Sequence, residues 1–377
     1  MAISAAERIQ WARTWLSRDV FPLWTTKGID TTNGSFIESL TAEGQPTTAP
    51  RRAMVQARQI YAYSEGLKMK ILTHDQVLPI LEKNTAFLLE HYALPSGAFI
   101  YSIDSQGKPE GHQQELYTQA FVLFCLARAQ EVLKQDKIKI AAKKLLKYLK
   151  TERRAAGGGF TEIKNNQIVF QSNPHMHLFE AVLEWMKVAP DPEWQELLVS
   201  IFDLCTQKFI DSKTSVVCEF FDESWKPLKE NGKFIFEPGH QYEWAWLLLE
   251  FKKSTGADVG NIPQQLFQLA EKHGRLKSSP FVIDEVWSDF SPKKLSSRFW
   301  PQCERIKTAV SLGFAESCDE AMDVLFKYLN QPAQGQWSDT RLENGSFDHL
   351  PSKASSLYHI INALSEYETK RPLLKAP

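Results

Sequence analysis

Apolar residues along this chain return again and again to helical spacing, in pairs of segments. One member of each pair is apolar almost all round and the next carries a single apolar stripe. From Arg51 to Gly66 the run Ala-Met-Val-Gln-Ala-Arg58-Gln-Ile-Tyr-Ala-Tyr predicts a helix with little polar face, whereas Gln76 to Tyr92 is amphipathic. The same alternation recurs from Glu115 to Phe124 and from Ile138 to Leu149. Further apolar helices are expected from Asn173 to Trp185, from His240 through Trp244, Leu247 and Leu248, from Trp300 into Val310, and from Lys353 to Leu364. A separate helix, Glu7 to Leu16, precedes them all. Short alternating runs stand between the helices: Gly34–Leu40, Gly97–Ile103, and Trp337–Phe347. Gly158–Glu162 and Ile168–Phe170 flank Asn165-Asn166, and Val216–Phe221 and Phe234–Phe236 flank Asn231-Gly232, so both pairs read as hairpins.

Aligning the starts of the apolar helices brings Arg58, Tyr117, His177, His240, roughly Gln302, and His359 to equivalent places. Successive steps are between 57 and 63 residues, room for two helices and a hairpin. Self-similarity at a near-constant period marks a repeat architecture. Six units, each with one nearly all-apolar and one striped helix, predict an all-α (α/α)6 barrel. Residues 1–377 would form one domain, with short β-hairpins at the end where the inner helices begin. An open solenoid of six helical hairpins has the same period. In a closed ring the inserted loops cluster on one face, and the ligand pocket is expected there.

Composition narrows the class. With 44 Lys and Arg against 45 Asp and Glu the chain has no electrostatic footprint for nucleic acid or an anionic membrane. The basic run Lys134–Lys150 keeps Ile138, Ala141, Leu145 and Leu149 at helical spacing, so its lysines read as a solvated outer face. Five cysteines without C-x-x-C spacing fit reduced thiols. The N-terminus Met1-Ala-Ile-Ser-Ala-Ala-Glu-Arg lacks a basic region followed by an apolar run, and no apolar segment approaches spanning length. A cytoplasmic monomer or homodimer is expected. Gly157-Gly-Gly159 has no following Gly-Lys-Ser/Thr and precedes a strand, so it is a poor phosphate loop.

The chemistry concentrates at the helix starts. His177 and His240 each have Glu three residues on, Glu180 and Glu243, while His359 has Asn362. On a helix each partner is placed to orient its imidazole, fixing the tautomer and holding the ring near neutrality for acid–base work. A lone histidine in such a place is as often a satisfied core residue; three at matching repeat positions point to function. Two His-x-x-Glu pairs also raise a carboxylate–histidine metal site, but no H-E-x-x-H is present, and metal-free proton transfer is the stronger reading. Arg58 offers a fixed cation for polar oxygens, or an ion pair with Glu304 or Glu243. Trp300, Trp244 and Trp246 offer flat faces for a sugar ring, with core filling the stronger reading for Trp246. Glu243 and Glu304 together would suit a glycoside hydrolase, in which the histidines have no role. A purely binding function is a third possibility, without an exposed heptad seam to support it.

Several segments together resemble the N-acylglucosamine 2-epimerase superfamily. They are Arg52-Ala-Met-Val-Gln-Ala-Arg58, Asn173-Pro-His-Met-His177-Leu-Phe-Glu-Ala, Glu237-Pro-Gly-His240-Gln-Tyr-Glu243-Trp-Ala-Trp, Trp300-Pro-Gln-Cys-Glu304 and Tyr358-His359. The resemblance spans nearly the whole chain, and it implies the (α/α)6 barrel and a cofactor-free sugar isomerase or 2-epimerase, closest in look to bacterial mannose isomerases. By resemblance His240 and His359 match the catalytic acid/base pair. Arg58, Tyr117, Asn173, His177 and Glu243 match pocket residues, with Trp300 and Glu304 completing the expected substrate-binding set. Thr118 departs from the pattern, since many relatives carry Asp after the tyrosine. The implied reaction abstracts the proton at C2 of an opened monosaccharide and returns it to C1 or C2 through an enediol.

Overall fold

The computed structural model describes residues 3–374; Met1 and Ala2, part of the N-terminal reading above, lie outside them. Helices α1 (Ala5–Trp15) and α2 (Phe21–Lys27) are joined through a π-turn at Leu16–Val20. Then follow α3 (Ala53–Lys68), α4 (His74–His91), α5 (Leu116–Leu133), α6 (Asp136–Glu152), α7 (Ser172–Val188) and α8 (Pro192–Leu204). The series ends with α9 (Pro238–Thr255), α10 (Ile262–His273), α11 (Trp300–Leu312), α12 (Ala315–Phe326) and α13 (Leu357–Lys370).

Six of these form an inner ring in which α3 packs on α5, α5 on α7, α7 on α9, α9 on α11, α11 on α13, and α13 back on α3. Closure removes the open-solenoid alternative. The inner helices are buried on every side, as α9 is at each residue from Pro238 to Leu248. Outer helices bury one stripe: α6 hides Ile138, Ala142, Leu145, Leu146 and Leu149 and turns its lysines outward. Leu116–Ala129 of α5 and Met176–Leu183 of α7 supply much of the core, where apolar area leaves water at roughly 25 cal/mol per Å².

Short antiparallel strands sit where the inner helices begin, and most of their pairings join neighbouring units. Arg51–Arg52 pairs with Ser102–Ile103, Gln167–Gln171 with Phe220–Phe221, Ile235–Phe236 with Glu285–Trp287, and Ser297–Arg298 with Thr340–Arg341. Ser39–Leu40 pairs with Ser352–Lys353, which closes the circle. The hairpin at Asn165-Asn166 forms as expected, with both asparagines at positive φ between Glu162–Lys164 and Gln167–Gln171. The expected pairing of Val216–Phe221 with Phe234–Phe236 is corrected: around Asn231-Gly232 Glu230 and Lys233 bridge, a single long bond from Glu219 N to Ile235 O at 3.4 Å links the two runs, and each flanking strand pairs with the unit beyond it. Interunit bonds serve the ring better than local ones, because each ties two helix starts together.

A recurrent side-chain clamp fixes these strands to the helices. Gln56 accepts from the Phe36 amide at 2.8 Å and donates to the Phe36 carbonyl at 2.9 Å. Gln119 does the same to Phe99 and Gln241 to Val217. His175 accepts from Phe160 N at 2.9 Å, Gln302 donates to Val282 O, and Ser352 brackets Trp337. Each clamp satisfies buried backbone groups that would otherwise cost free energy. Gln302, aligned above with the helix mouths, is therefore a clamp residue, and Trp300 takes the place facing the cavity.

Candidate active site

Where the inner helices begin, a cavity of about 350 Å³ opens to one end of the ring. Of the nine residues expected at the site, eight line it: Arg58, Tyr117, Asn173, His177, His240, Glu243, Trp300 and His359. Glu304 does not; it lies fully buried behind His359. Trp244 is corrected from a sugar-facing surface to core filler against Phe179 and Phe209, and Trp246 lines a separate cavity at the opposite end.

His240 stands in the first turn of α9. Pro238 occupies the opening of that helix, where its missing N–H costs nothing. Gly239 is required by close approach, since a Cβ there would overlap the ring of Trp300. The i+3 partner expected for His240 is not the one it uses. Its Nδ1 lies 2.8 Å from Glu219 Oε2, a carboxylate on the preceding strand run, while Glu243 turns elsewhere. Burial pulls the His240 pKa down, but the Glu219 and Glu237 carboxylates outweigh it and hold the ring at about 9, so it is an imidazolium at neutral pH.

His359 is held in the same way by a different residue. Its Nδ1 is 2.9 Å from Glu304 Oε1, and Asn362, the expected partner, makes no hydrogen bond to it among the described residues. Here burial dominates, and the cations Arg58 and Lys307 act with it, pushing the pKa well below 6.5. His359 is therefore neutral with its proton on Nδ1, leaving the Nε2 lone pair for the cavity. Both rings flank Trp300, their centroids 5.0 and 5.7 Å from its ring. Only His177 keeps its predicted partner, Glu180, at 3.4 Å, and burial lowers it to about 4. Glu180 also accepts from Tyr358 Oη at 2.6 Å.

Three further groups face the cavity with bonding capacity to spare: Glu243, Arg58, and Asn173, whose Oδ1 has no partner among the described residues. Glu243 is 1% exposed, and neither carboxylate oxygen has a hydrogen-bond partner among the described residues. Burial, reinforced by Glu304, drives its pKa well above the carboxylate range, so Glu243 is a neutral acid able to donate. Arg58 donates to Tyr117 Oη at 2.6 Å and toward Ser355 O at 3.4 Å, leaving Nε without a partner. Its guanidinium lies 4.1 Å from the Phe121 ring centroid and forms neither of the ion pairs considered from sequence.

The rim was not foreseen. Arg52 bonds Glu38 at 2.6 Å, Arg298 bonds Asp284 and Glu237 at 2.9 and 2.6 Å, and Lys353 bonds Asp339 at 2.6 Å. The acids had a signal in the sequence: five units place a carboxylate two residues after the clamped strand residue, at Glu38, Glu162, Glu219, Asp284 and Asp339. An acid at the inward beat of an alternating apolar run is a buried acid awaiting a partner. Three sets, His177–Glu180–Glu243, Glu219–Glu237–His240 and Glu243–Glu304–His359, bring ligand atoms within 4.8 Å of one another as a metal site would. Glu180 is already hydrogen-bonded by Tyr358 and His177, Glu304 is hydrogen-bonded by His359 and ion-paired with the Lys307 ammonium at 2.8 Å, and Glu219 and Glu237 are taken by His240 and Arg298, so most of these donors are engaged by the protein itself.

Known proteins resemble this chain in sequence and in fold. The family model for N-acylglucosamine 2-epimerase matches residues 34–363. A protein named mannose-6-phosphate isomerase from Rhizobium meliloti strain 1021 is 32% identical over 369 residues, covering 94% of this chain and 95% of the relative. Among solved structures, a cellobiose 2-epimerase from Bacillus thermoamylovorans B4167 superposes with a TM-score of 0.85 at 17% identity, over 96% of this chain and 99% of that one. A D-mannose isomerase superposes with a TM-score of 0.83 at 18% identity, over 97% of each. At such identities the structures speak for the (α/α)6 fold, whereas the family match and the Rhizobium relative speak for descent. The chain belongs to the N-acylglucosamine 2-epimerase family, whose members here are sugar isomerases and epimerases.

Proposed function

We propose that this protein is an aldose–ketose isomerase interconverting D-mannose and D-fructose by histidine proton transfer, in one catalytic domain spanning the chain. The observation that carries the chemistry is the pair His240 and His359 on either side of Trp300, each with Nδ1 bound to its own carboxylate and one held charged, the other neutral.

The two charge states suit ring opening. His240 gives its proton to the ring oxygen while His359 Nε2 takes the anomeric hydroxyl proton, the C1–O5 bond breaks, and the aldehyde forms. His240 is now neutral and His359 charged. His240 then removes the C2 proton as His359 returns one to O1, giving a cis-enediol that Arg58 and the neutral Glu243 stabilise by donating to its oxygens. Return of the His240 proton to C1, with His359 taking the O2 proton, yields the ketose. Delivery to C2 from the opposite face would yield the epimer, which is the alternative outcome for the same residues.

The cavity supports a small and uncharged substrate. About 350 Å³ lies at the small end of ligand sites and suits one sugar ring better than a disaccharide. The Rhizobium relative is named for a phosphorylated sugar, but the rim cations here are each committed to a carboxylate, which favours a neutral hexose. A glycoside hydrolase fits poorly, because Glu304 is engaged by His359 and Lys307, and of the acids that line the cavity Glu237 and Asp339 are paired with Arg298 and Lys353, which leaves Glu243 alone. Incubation with D-mannose, D-mannose 6-phosphate and N-acetyl-D-mannosamine, each followed by chromatography, tests the reading. Fructose from mannose at the highest kcat/KM is expected; an aldose product alone would replace it with a 2-epimerase.

A further inference from the structure

Lys307 is a lysine where a hydrocarbon side chain would be far cheaper. It lies on α11 with no exposure, its ammonium 3.7 Å from the Trp246 ring centroid on α9. Taking such a charge out of water costs several kcal/mol unless partners repay it. Three carboxylates face it: Glu304 on its own helix, Glu243 on α9 and Glu180 on α7. Only Glu304 pairs with it closely, at 2.8 Å through Oε2, and the other oxygen of that carboxylate is the one 2.9 Å from His359 Nδ1. Lysine, carboxylate and imidazole thus form one buried line ending at the cavity.

The line decides which way His359 works. An ionised Glu304 can only accept, so the His359 proton must sit on Nδ1 and Nε2 must face the sugar as an acceptor. A Glu304 that took up a proton could donate to Nδ1 instead, and the ring would turn its other tautomer outward, with an N–H where a lone pair is needed. Glu304 is fully buried beside Glu243, and Glu180 faces the same lysine. Lys307 supplies the opposing charge; Arg58 on α3 and His177 on α7 stand near His359 but do not bond Glu304.

We infer that Lys307 is a positioning residue for the sugar chemistry: by ion-pairing with Glu304 it fixes the tautomer of His359 that presents Nε2 as an acceptor. This rests on the proposed role of His359, and the two are separable. The readout is the tautomer, seen in 15N-histidine spectra of the resting full-length protein, alongside kcat and KM. In the wild type His359 is expected with its proton on Nδ1. Lys307→Met, close in shape and able to keep the contact with Trp246, is expected to place part or all of the proton on Nε2 and to lower kcat about 10–100-fold with KM nearly unchanged, the usual range for a lost outer partner. Lys307→Arg, which keeps the charge, is expected to retain the Nδ1 form. Should Lys307→Met not fold, Glu304→Gln offers the same spectroscopic test, because its amide can donate to Nδ1. An unchanged His359 tautomer in a folded Lys307→Met protein, or in Glu304→Gln, overturns the inference. Full activity of His359→Gln would instead remove the reading of the site, while the spectra would still judge Lys307.

Discussion

His240 and His359 are the same side chain at equivalent places in the repeat, yet they sit in opposite charge states. Glu219 and Glu237 overcome burial at His240, whereas at His359 burial is joined by Arg58 and Lys307. For His240 the folded pKa of about 9 exceeds the ordinary 6.5, so the charged form persists through neutrality and is lost as pH rises through about 9. If ring opening needs that proton, kcat/KM should hold steady up to about pH 9 and fall beyond it. Glu219→Gln removes the main source of the upward push, leaving burial to pull the ring down. The alkaline limb should then move below neutrality, with turnover near pH 8 reduced about 10–100-fold. An alkaline limb that stays near pH 9 in Glu219→Gln would mean another group controls it. His240→Ala should cost at least ~10²-fold in turnover, the low end for a positioned acid–base group, with KM far less affected because Arg58, His177 and Trp300 still face the sugar. The two histidines were legible in the sequence from their repeat positions. Their partners were not, because the i+3 rule weighs only neighbours on one helix, whereas these carboxylates come from a strand run and a neighbouring helix.

At the scale of elements, the clamp between each inner helix and its strand shows how a single repeat tolerates different chemistry. Gln56, Gln119, Gln241 and Gln302 serve four units, but the third uses His175, whose Nε2 accepts from Phe160 N and whose Nδ1 lies 2.8 Å from Gln171 O. Burial drops the His175 pKa to about 4. A histidine with a folded pKa below its unfolded 6.5 contributes stability that is full above pH 6.5 and fades as pH falls toward 4, because the unfolded chain then binds the extra proton. At pH 5 that loss is about 2 kcal/mol for a shift of this size. His175→Gln should keep the clamp, as glutamine does in four other units, and remove the penalty. The difference in Tm between pH 7.5 and pH 5 is expected to be smaller in the variant than in the wild type, by differential scanning fluorimetry. An equal difference would place the acid sensitivity elsewhere. The sequence made the six inner helices plain through their 3.6-residue period, whereas α2 was not foreseen and the outer helices α8, α10 and α12 were implied only by the repeat. It was less informative about strands, since two-residue pairings such as Ser39–Leu40 with Ser352–Lys353 depend on partners far along the chain.

Over the whole molecule, closure of the ring makes the site one-ended. The six inner helices fill the middle of the barrel with Phe121, Phe124, Phe179 and Trp244, so the sugar cavity opens toward the strand end alone, and the cavity around Glu65 and Arg128 belongs to the other end. The period of the repeat foretold the ring, but a period cannot say whether the last helix returns to the first; the packing of α13 on α3 does. That geometry bears on the fate of the transferred proton. A proton taken by His240 from C2 waits on an imidazole that is 5% exposed, beneath a bound sugar that covers the mouth. Exchange with solvent competes with return to C1, and neither should win outright. Isomerisation of mannose in D₂O is therefore expected to give fructose with less than one deuterium per turnover, placed in a single C1 position, by NMR of the product. Lys307→Met and Glu219→Gln, which change charge but not the shape of the mouth, should slow the reaction with little change in that fraction. Activity should survive exhaustive chelation. Product free of deuterium, together with complete loss of turnover on chelation, would point to hydride transfer with a bound metal, and the three carboxylates and two histidines around Glu243 would then have to be read as its ligands.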